Sequence, residues 1–169
     1  MRRNVSINLI AVLTAVILFS FAGQMVMAQE EKAAEPEISL YDRLGGVYAI
    51  ASVVDVLIEK LLVNEILNAN PLIDEARKQV PAAGIKFHLT ALICSLSGGP
   101  ENYTGRSMVD SHAHLNINNE QWDAMVADFV ATLNEFKVPE KEQGELLALV
   151  GPTKGDIVTA TEETEEAEE

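Results

Sequence analysis

The chain has 169 residues, a length that fits one domain, and its 26 acidic against 12 basic residues give a net charge of −14. That balance argues against nucleic acid and against anionic membrane surfaces as partners. The single cysteine, Cys94, excludes an internal disulfide, and with no C-x-x-C-H run nothing predicts covalent c-type haem attachment.

The first 28 residues differ from the rest. A basic "MRRN" precedes the apolar "VSINLIAVLTAVILFSFAG", and "VMA" before Gln29 matches a small-residue cleavage pattern. This is the three-part layout of a secretory signal, so residues 1–28 predict export to a periplasmic or extracellular space. An uncleaved signal anchor is the alternative, because the run is nearly long enough to span a bilayer. Membrane contact is expected only through such an uncleaved segment. Cleavage removes Arg2 and Arg3 and no acid, leaving 10 basic against 26 acidic residues, or −16. Residues 29–37, "QEEKAAEPE", read as a linker. Residues 159–169, "TATEETEEAEE", hold only Thr, Glu and Ala and read as a solvated, disordered tail. The folding unit is expected over residues 38–158.

Within that unit the apolar spacing is helical. A short helix is predicted at 39–44. Over 47–63, Ile50, Val53, Val54, Leu57, Ile58, Leu61 and Leu62 alternate spacings of three and one, a single apolar stripe. The stretch "LNANPLIDEARKQVPAAG" is rich in Pro, Asn and Asp and predicts short turns, with one helical turn at 72–79. Ile85, Leu89, Leu92, Ile93 and Leu96 predict a helix over 84–96, with Cys94 as a small buried hydrophobe. After the loop "SGGPENYTG", a short helix is predicted at 107–113. A long one follows at 118–137, capped by Asn118 or Asn119, with Trp122, Met125, Val126, Phe129, Leu133 and Phe136 on one stripe. A last helix at 139–151 starts at Pro139 and ends near "GPTKG". No stretch alternates at period two, so the class is all-α. The pairs Gly45-Gly46 and Gly98-Gly99 flank helices, where glycine permits sharp turns and close packing. Neither has the spacing of a phosphate loop.

The chain has three histidines, and two stand in "SHAHLNI". Residues two apart on a helix do not share a face, so His112 and His114 are not arranged to hold one ion together. Met108, His112 and Leu115 fit one face, which points His112 inward and His114 outward. On periodicity alone an inward histidine is more often a hydrogen-bonded core residue than a ligand, and both readings stand. His88 flanks the apolar stripe of the 84–96 helix. It reads as a half-exposed surface residue or as a side chain leaning into a pocket at the helix edge. No Ser-His-Asp arrangement occurs. Asp55 and Asp128 are the acids nearest to apolar stripes, and both read as solvated.

The runs "SLYDRLGG" (39–46), "SGGPENYTGRSM" (97–108), "SHAHLNI" (111–117) and "FKVPEKEQGELLALVG" (136–151) are collinear and together resemble the group I truncated haemoglobin family. The resemblance covers Ser39 to about Val158. It implies a truncated globin-like two-over-two helical sandwich around haem b (iron protoporphyrin IX), held non-covalently. It implies His112 as the proximal iron ligand, matching the helix-F histidine of the family. His88 falls where some members carry a sixth iron ligand. The distal side departs from the family pattern. The helix-B tyrosine position is Ile58, Asn70 and Pro71 stand where aromatics are common, and the helix-E pocket positions are Ile85 and Leu89. The pocket therefore lacks the donors that stabilise bound oxygen in relatives. Phe87, Leu92, Ile93, Met125, Val126 and Phe129 are expected as haem-pocket walls, with Met108 beside the proximal histidine. Lys86 and Arg106 are expected partners for the haem propionates.

The expected function is reversible binding of a diatomic gas, oxygen, nitric oxide or carbon monoxide. The runner-up is an exported helical interaction domain that kept the fold without haem. The family's links to nitric oxide dioxygenation and peroxide chemistry, with an unidentified redox partner, offer a haem enzyme as a further alternative, and a His-x-His metal buffer is a poorer third reading.

Overall fold

The computed structural model describes residues 38–160. The signal and linker readings and most of the acidic tail lie outside these residues. Ser39 opens the fold by accepting a hydrogen bond from the Asp42 amide at 3.1 Å, which caps α1, Leu40–Arg43. Gly45 and Gly46 then take φ of +92° and +76°. Only glycine enters that region freely, and the pair turns the chain into α2, Gly46–Val63. Helix α2 buries Ile50, Val54, Leu57 and Ile58, members of the predicted stripe.

The next stretch corrects the sequence expectation. Where turns and one helical turn were predicted, two helices form: α3, Glu65–Asn68, and α4, Pro71–Gln79. Asn64 caps the first by accepting from the amides of Ile66 and Leu67, and Asn70 caps the second by accepting from Leu72. Asparagine followed by helix formers, with proline in the first turn, starts a helix as readily as it breaks one. Helix α5, Ala82–Leu96, follows Pro81. Helix α6, Met108–His112, is capped by Ser107. A reciprocal capping box between Asn118 and Gln121 opens α7, Asn119–Glu135. Helix α8, Glu140–Val150, leads through a 3₁₀ turn at Gly151–Thr153 into α9, Lys154–Ile157, beyond the predicted last helix. Among the described residues the one β feature is an isolated parallel bridge between Ile117 and Val158.

Helix α2 packs on α5 and on α7, and α8 joins α7 through the apolar cluster of Phe129, Leu133 and Leu146, in a two-over-two helical sandwich. Ile50, Val54 and Ile58 of α2 pack with Cys94 of α5. Leu57 of α2 meets Phe129 and Leu133 of α7, Leu146 of α8 and Leu40 of α1 in a second cluster. Ile117, Trp122 and Ile157 form a third, which seats α9 near α6. The Arg43 guanidinium bridges Glu142 and Glu145, fastening α1 to α8. Cys94 is fully buried, and burial pushes its thiol up to about 11. It is a packing residue and a poor nucleophile at neutral pH.

Gly144 lies inside α8, and a Cβ built on it meets nothing within 4 Å. Glycine in a helix interior costs about 0.5–1 kcal/mol relative to alanine. Gly144→Ala is therefore expected to raise the melting temperature by roughly 2–4 °C, read by circular dichroism. A lower melting temperature would show that the position is not the open helix site described.

Candidate cofactor site

His112 ends the short helix α6, whose start is fixed by the Asp110 amide donating to Ser107 Oγ at 3.0 Å. Its Nδ1 lies 2.9 Å from the Met108 carbonyl oxygen. A carbonyl only accepts, so Nδ1 carries the proton and Nε2 keeps its lone pair. The ring is half-buried. Burial lowers its pKa below the usual histidine value, the Met108 bond opposes this in part, and His114 reinforces it. His112 is thus a neutral imidazole at pH 7 with one nitrogen locked by a backbone carbonyl and the other bare. Protein metal sites use this tautomer and this kind of orienting bond. Met108 and Leu115 flank the ring in sequence and pack on the Ile117, Trp122 and Ile157 cluster beside Met125 and Val126. A neutral imidazole with an oriented free Nε2 beside apolar walls fits the axial demand of a haem iron. His114 is exposed. No group of three or more His, Cys, Asp or Glu that could hold a metal ion occurs among the described residues.

The distal positions named from the sequence come together. Ile58 is 5% exposed, and Ile85 and Leu89 pack against its cluster. None of the three carries a hydrogen-bond donor. Leu92 is half-buried, and Ile93 packs on both α2 clusters. Phe129 is buried among Leu40, Leu57, Leu133 and Leu146. Phe87, by contrast, is 65% exposed. It lies off the Ile85, Leu89, Leu92 stripe, where the helical period turns it outward.

His88 is also exposed. Its ring stands edge-on to Phe87, with centroids 5.3 Å apart, and edge-on to Tyr103 at 6.3 Å. The Tyr103 hydroxyl donates to the Arg106 carbonyl oxygen at 2.6 Å, and Arg106 itself is exposed. Lys86 is engaged elsewhere: its ammonium lies 2.7 Å from Asp55 and also bonds Glu59, and both carboxylates of α2 raise its pKa. Asp128 accepts a hydrogen bond from Asn64 Nδ2 at 2.7 Å.

The family resemblance put Asn70 among the distal positions; in the structure its side chain bonds the segment that follows His112. Asn70 is 7% exposed and donates through Nδ2 to the Leu115 carbonyl at 2.9 Å and to Gln121 Oε1 at 3.1 Å. The Asn118-x-x-Gln121 capping box is a local signal for one end of this group. No local signal joins it to Asn70.

A sequence profile described as bacterial-like globin matches residues 39–159. A group 1 truncated hemoglobin of Tetrahymena pyriformis is 28% identical over 123 residues, covering 71% of this chain and 94% of that protein. Group 1 truncated hemoglobin GlbN of Synechocystis sp. is 32% identical over 117 residues, covering 67% and 90%. Among solved structures, the Tetrahymena pyriformis truncated hemoglobin in its Fe(III) form superposes with a TM-score of 0.63 at 26% identity, covering 72% of this chain and 98% of that one. The 2/2 hemoglobin of Synechococcus sp. PCC 7002, solved in the cyanomet state with covalently attached heme, gives a TM-score of 0.63 at 27% identity with the same coverage. The collinear motifs, the two-over-two sandwich and these matches place the chain in the bacterial-like globin family, as a globin-type haem protein related to the group 1 truncated haemoglobins.

Proposed function

We propose that this protein binds haem b non-covalently, with His112 Nε2 as the proximal ligand, and that it reversibly binds a diatomic gas on the opposite face. One observation carries the reading: the half-buried, neutral His112 ring with Nδ1 locked on the Met108 carbonyl. When bound, the haem would supply an iron able to take a small ligand. The protein's part is to orient His112, keep it unprotonated and surround the ligand side with apolar groups. Ile58, Ile85 and Leu89 offer no donor to a polar bound ligand, and each missing hydrogen bond forgoes about 1–3 kcal/mol. This favours ligands that need little polar stabilisation, and it weighs against oxygen-dependent nitric oxide dioxygenation. Residues 1–28 support export, where cytosolic reductases are absent, and so also favour gas binding over turnover.

His88 is the candidate for a sixth ligand, supported by its place at the edge of α5. In this structure it is docked on Phe87 and Tyr103, so ligation requires its ring to leave that contact. Absorption spectra of oxidised and reduced protein, with and without carbon monoxide, test both points. A Soret band that shifts with carbon monoxide is expected. A low-spin ferrous spectrum that becomes high-spin in His88→Ala would establish the sixth ligand, and high-spin spectra in both would exclude it. A chain that develops no Soret band after haem addition would leave the helical interaction domain as the better reading.

A further inference from the structure

Asn70 and Gln121 form a buried polar pair in the fold, and the bonds of Asn70 lead to the segment that follows His112. Its Oδ1 accepts from the Leu72 amide at 2.9 Å, the cap of α4. Its Nδ2 reaches across the fold to the Leu115 carbonyl at 2.9 Å. The Leu115 amide in turn donates to the His112 carbonyl at 2.8 Å. His112 Nδ1 closes the series on Met108. Gln121 Oε1 accepts from Asn70 and from the Asn118 amide, so α7 starts from the same point. On the other side, the Ile117 carbonyl accepts from the amides of Thr159 at 2.9 Å and Ala160 at 3.1 Å. The connection from α6 to α7 is thus held between the α3–α4 corner and the last described residues of the chain.

We infer that Asn70 is a positioning residue for His112: through Leu115 it fixes the segment after the imidazole and so sets the direction and strength of the ring's bond to iron. This rests on His112 being the proximal ligand. The physical case is that a buried amide with both donors used and its oxygen holding a backbone N–H is restrained. Groups behind a metal-ligating histidine tune its affinity, and their loss typically costs 10–100-fold. The first bond, to Leu72, is a local cap that serine or aspartate can replace. The bond to Leu115 needs a donor at the length of asparagine. Cap and tie are therefore separable by substitution.

The experiment uses the full chain loaded with haem, in a His88→Ala background so that His88 offers no axial ligand. Asn70→Asp keeps the cap and, when ionised, donates nothing. Asn70→Ser keeps the cap and is too short to reach Leu115. Ile50→Val, in the α2–α5 cluster, serves as a control for loss of stability alone. The ferrous iron–histidine stretching band is expected to move to lower frequency in both Asn70 variants, and haem transfer to an apoprotein scavenger to be on the order of tenfold faster. Ile50→Val should leave the band in place. An unmoved band in either Asn70 variant, or an equal shift in Ile50→Val, overturns the inference, even if haem is lost faster. Failure of the underlying reading looks different: His112→Ala would then retain the wild-type band.

Discussion

His112→Ala is expected to lower haem affinity by more than 100-fold, leaving little Soret absorbance after desalting. The size follows from comparison with outer groups: removing a partner behind a ligating histidine costs about 10–100-fold, and removing the ligand itself must cost more. The other two histidines are exposed, and His114→Ala should leave haem binding at the wild-type level. Added imidazole should restore part of the Soret band to His112→Ala, because the truncated side chain leaves room for the free ring. A merely structural histidine would give no such rescue. Wild-type haem retention in His112→Ala would sink the assignment. The ring also carries a pH dependence in the haem-free protein. Its folded-state pKa is lowered, mainly by burial, so on acidification the unfolded chain takes the proton first. Its stability contribution is present above the ordinary histidine value and is lost as pH falls through the lowered one.

The second large effect is expected at Gly99. A Cβ there would stand 2.5 Å from Tyr41 Cδ2, 2.8 Å from the Cys94 carbonyl oxygen and 2.8 Å from Glu101 Oε2. The carbonyl is held, since the Gly99 amide donates to it at 2.8 Å. The tyrosine is held as well: its own amide donates to the Ser97 carbonyl at 2.9 Å, and its hydroxyl accepts from the Val47 amide at 3.1 Å and donates to Glu101 at 3.2 Å. No flexible side-chain end is available to move aside from all three. Gly99→Ala should cost about 3 kcal/mol, the upper end of ordinary overpacking, and lower the melting temperature by roughly 12 °C. The opposite sign expected for Gly144→Ala makes the pair a matched test in thermal melts. A Gly99→Ala melt within a couple of degrees of wild type would refute the steric account.

Much of the frame was legible because it is local. Period-3.6 apolar spacing marked α2, α5 and α7, since a helix that buries one face must repeat on that period. Asn118, one of the two cap candidates, starts α7 through a side chain that bonds an amide three residues on. The spacing of "SHAH" separated two rings that the structure also separates, His112 half-buried and His114 exposed. In the 67–84 stretch the helical turn expected at 72–79 is the full helix α4, while α3 before it was not expected, because asparagine and proline both end and begin helices and only the surrounding packing selects between these. Asn70-Pro71 was the available signal, a cap followed by proline at the first helical position.

What the sequence by itself determined is the all-α frame, the order of its helices, the lack of a donor at Ile58, Ile85 and Leu89, and, through collinear motifs, the globin family. Tertiary structure alone decided the rest. It turned Lys86 onto Asp55 and Glu59 and docked His88 on Phe87 and Tyr103. It left no room for a Cβ at Gly99 beside the Tyr41 ring and tied Asn70 to Leu115, in the segment after His112. Each of these joins residues of different helices or loops, and a side chain's partner across the fold leaves no period or spacing in the chain.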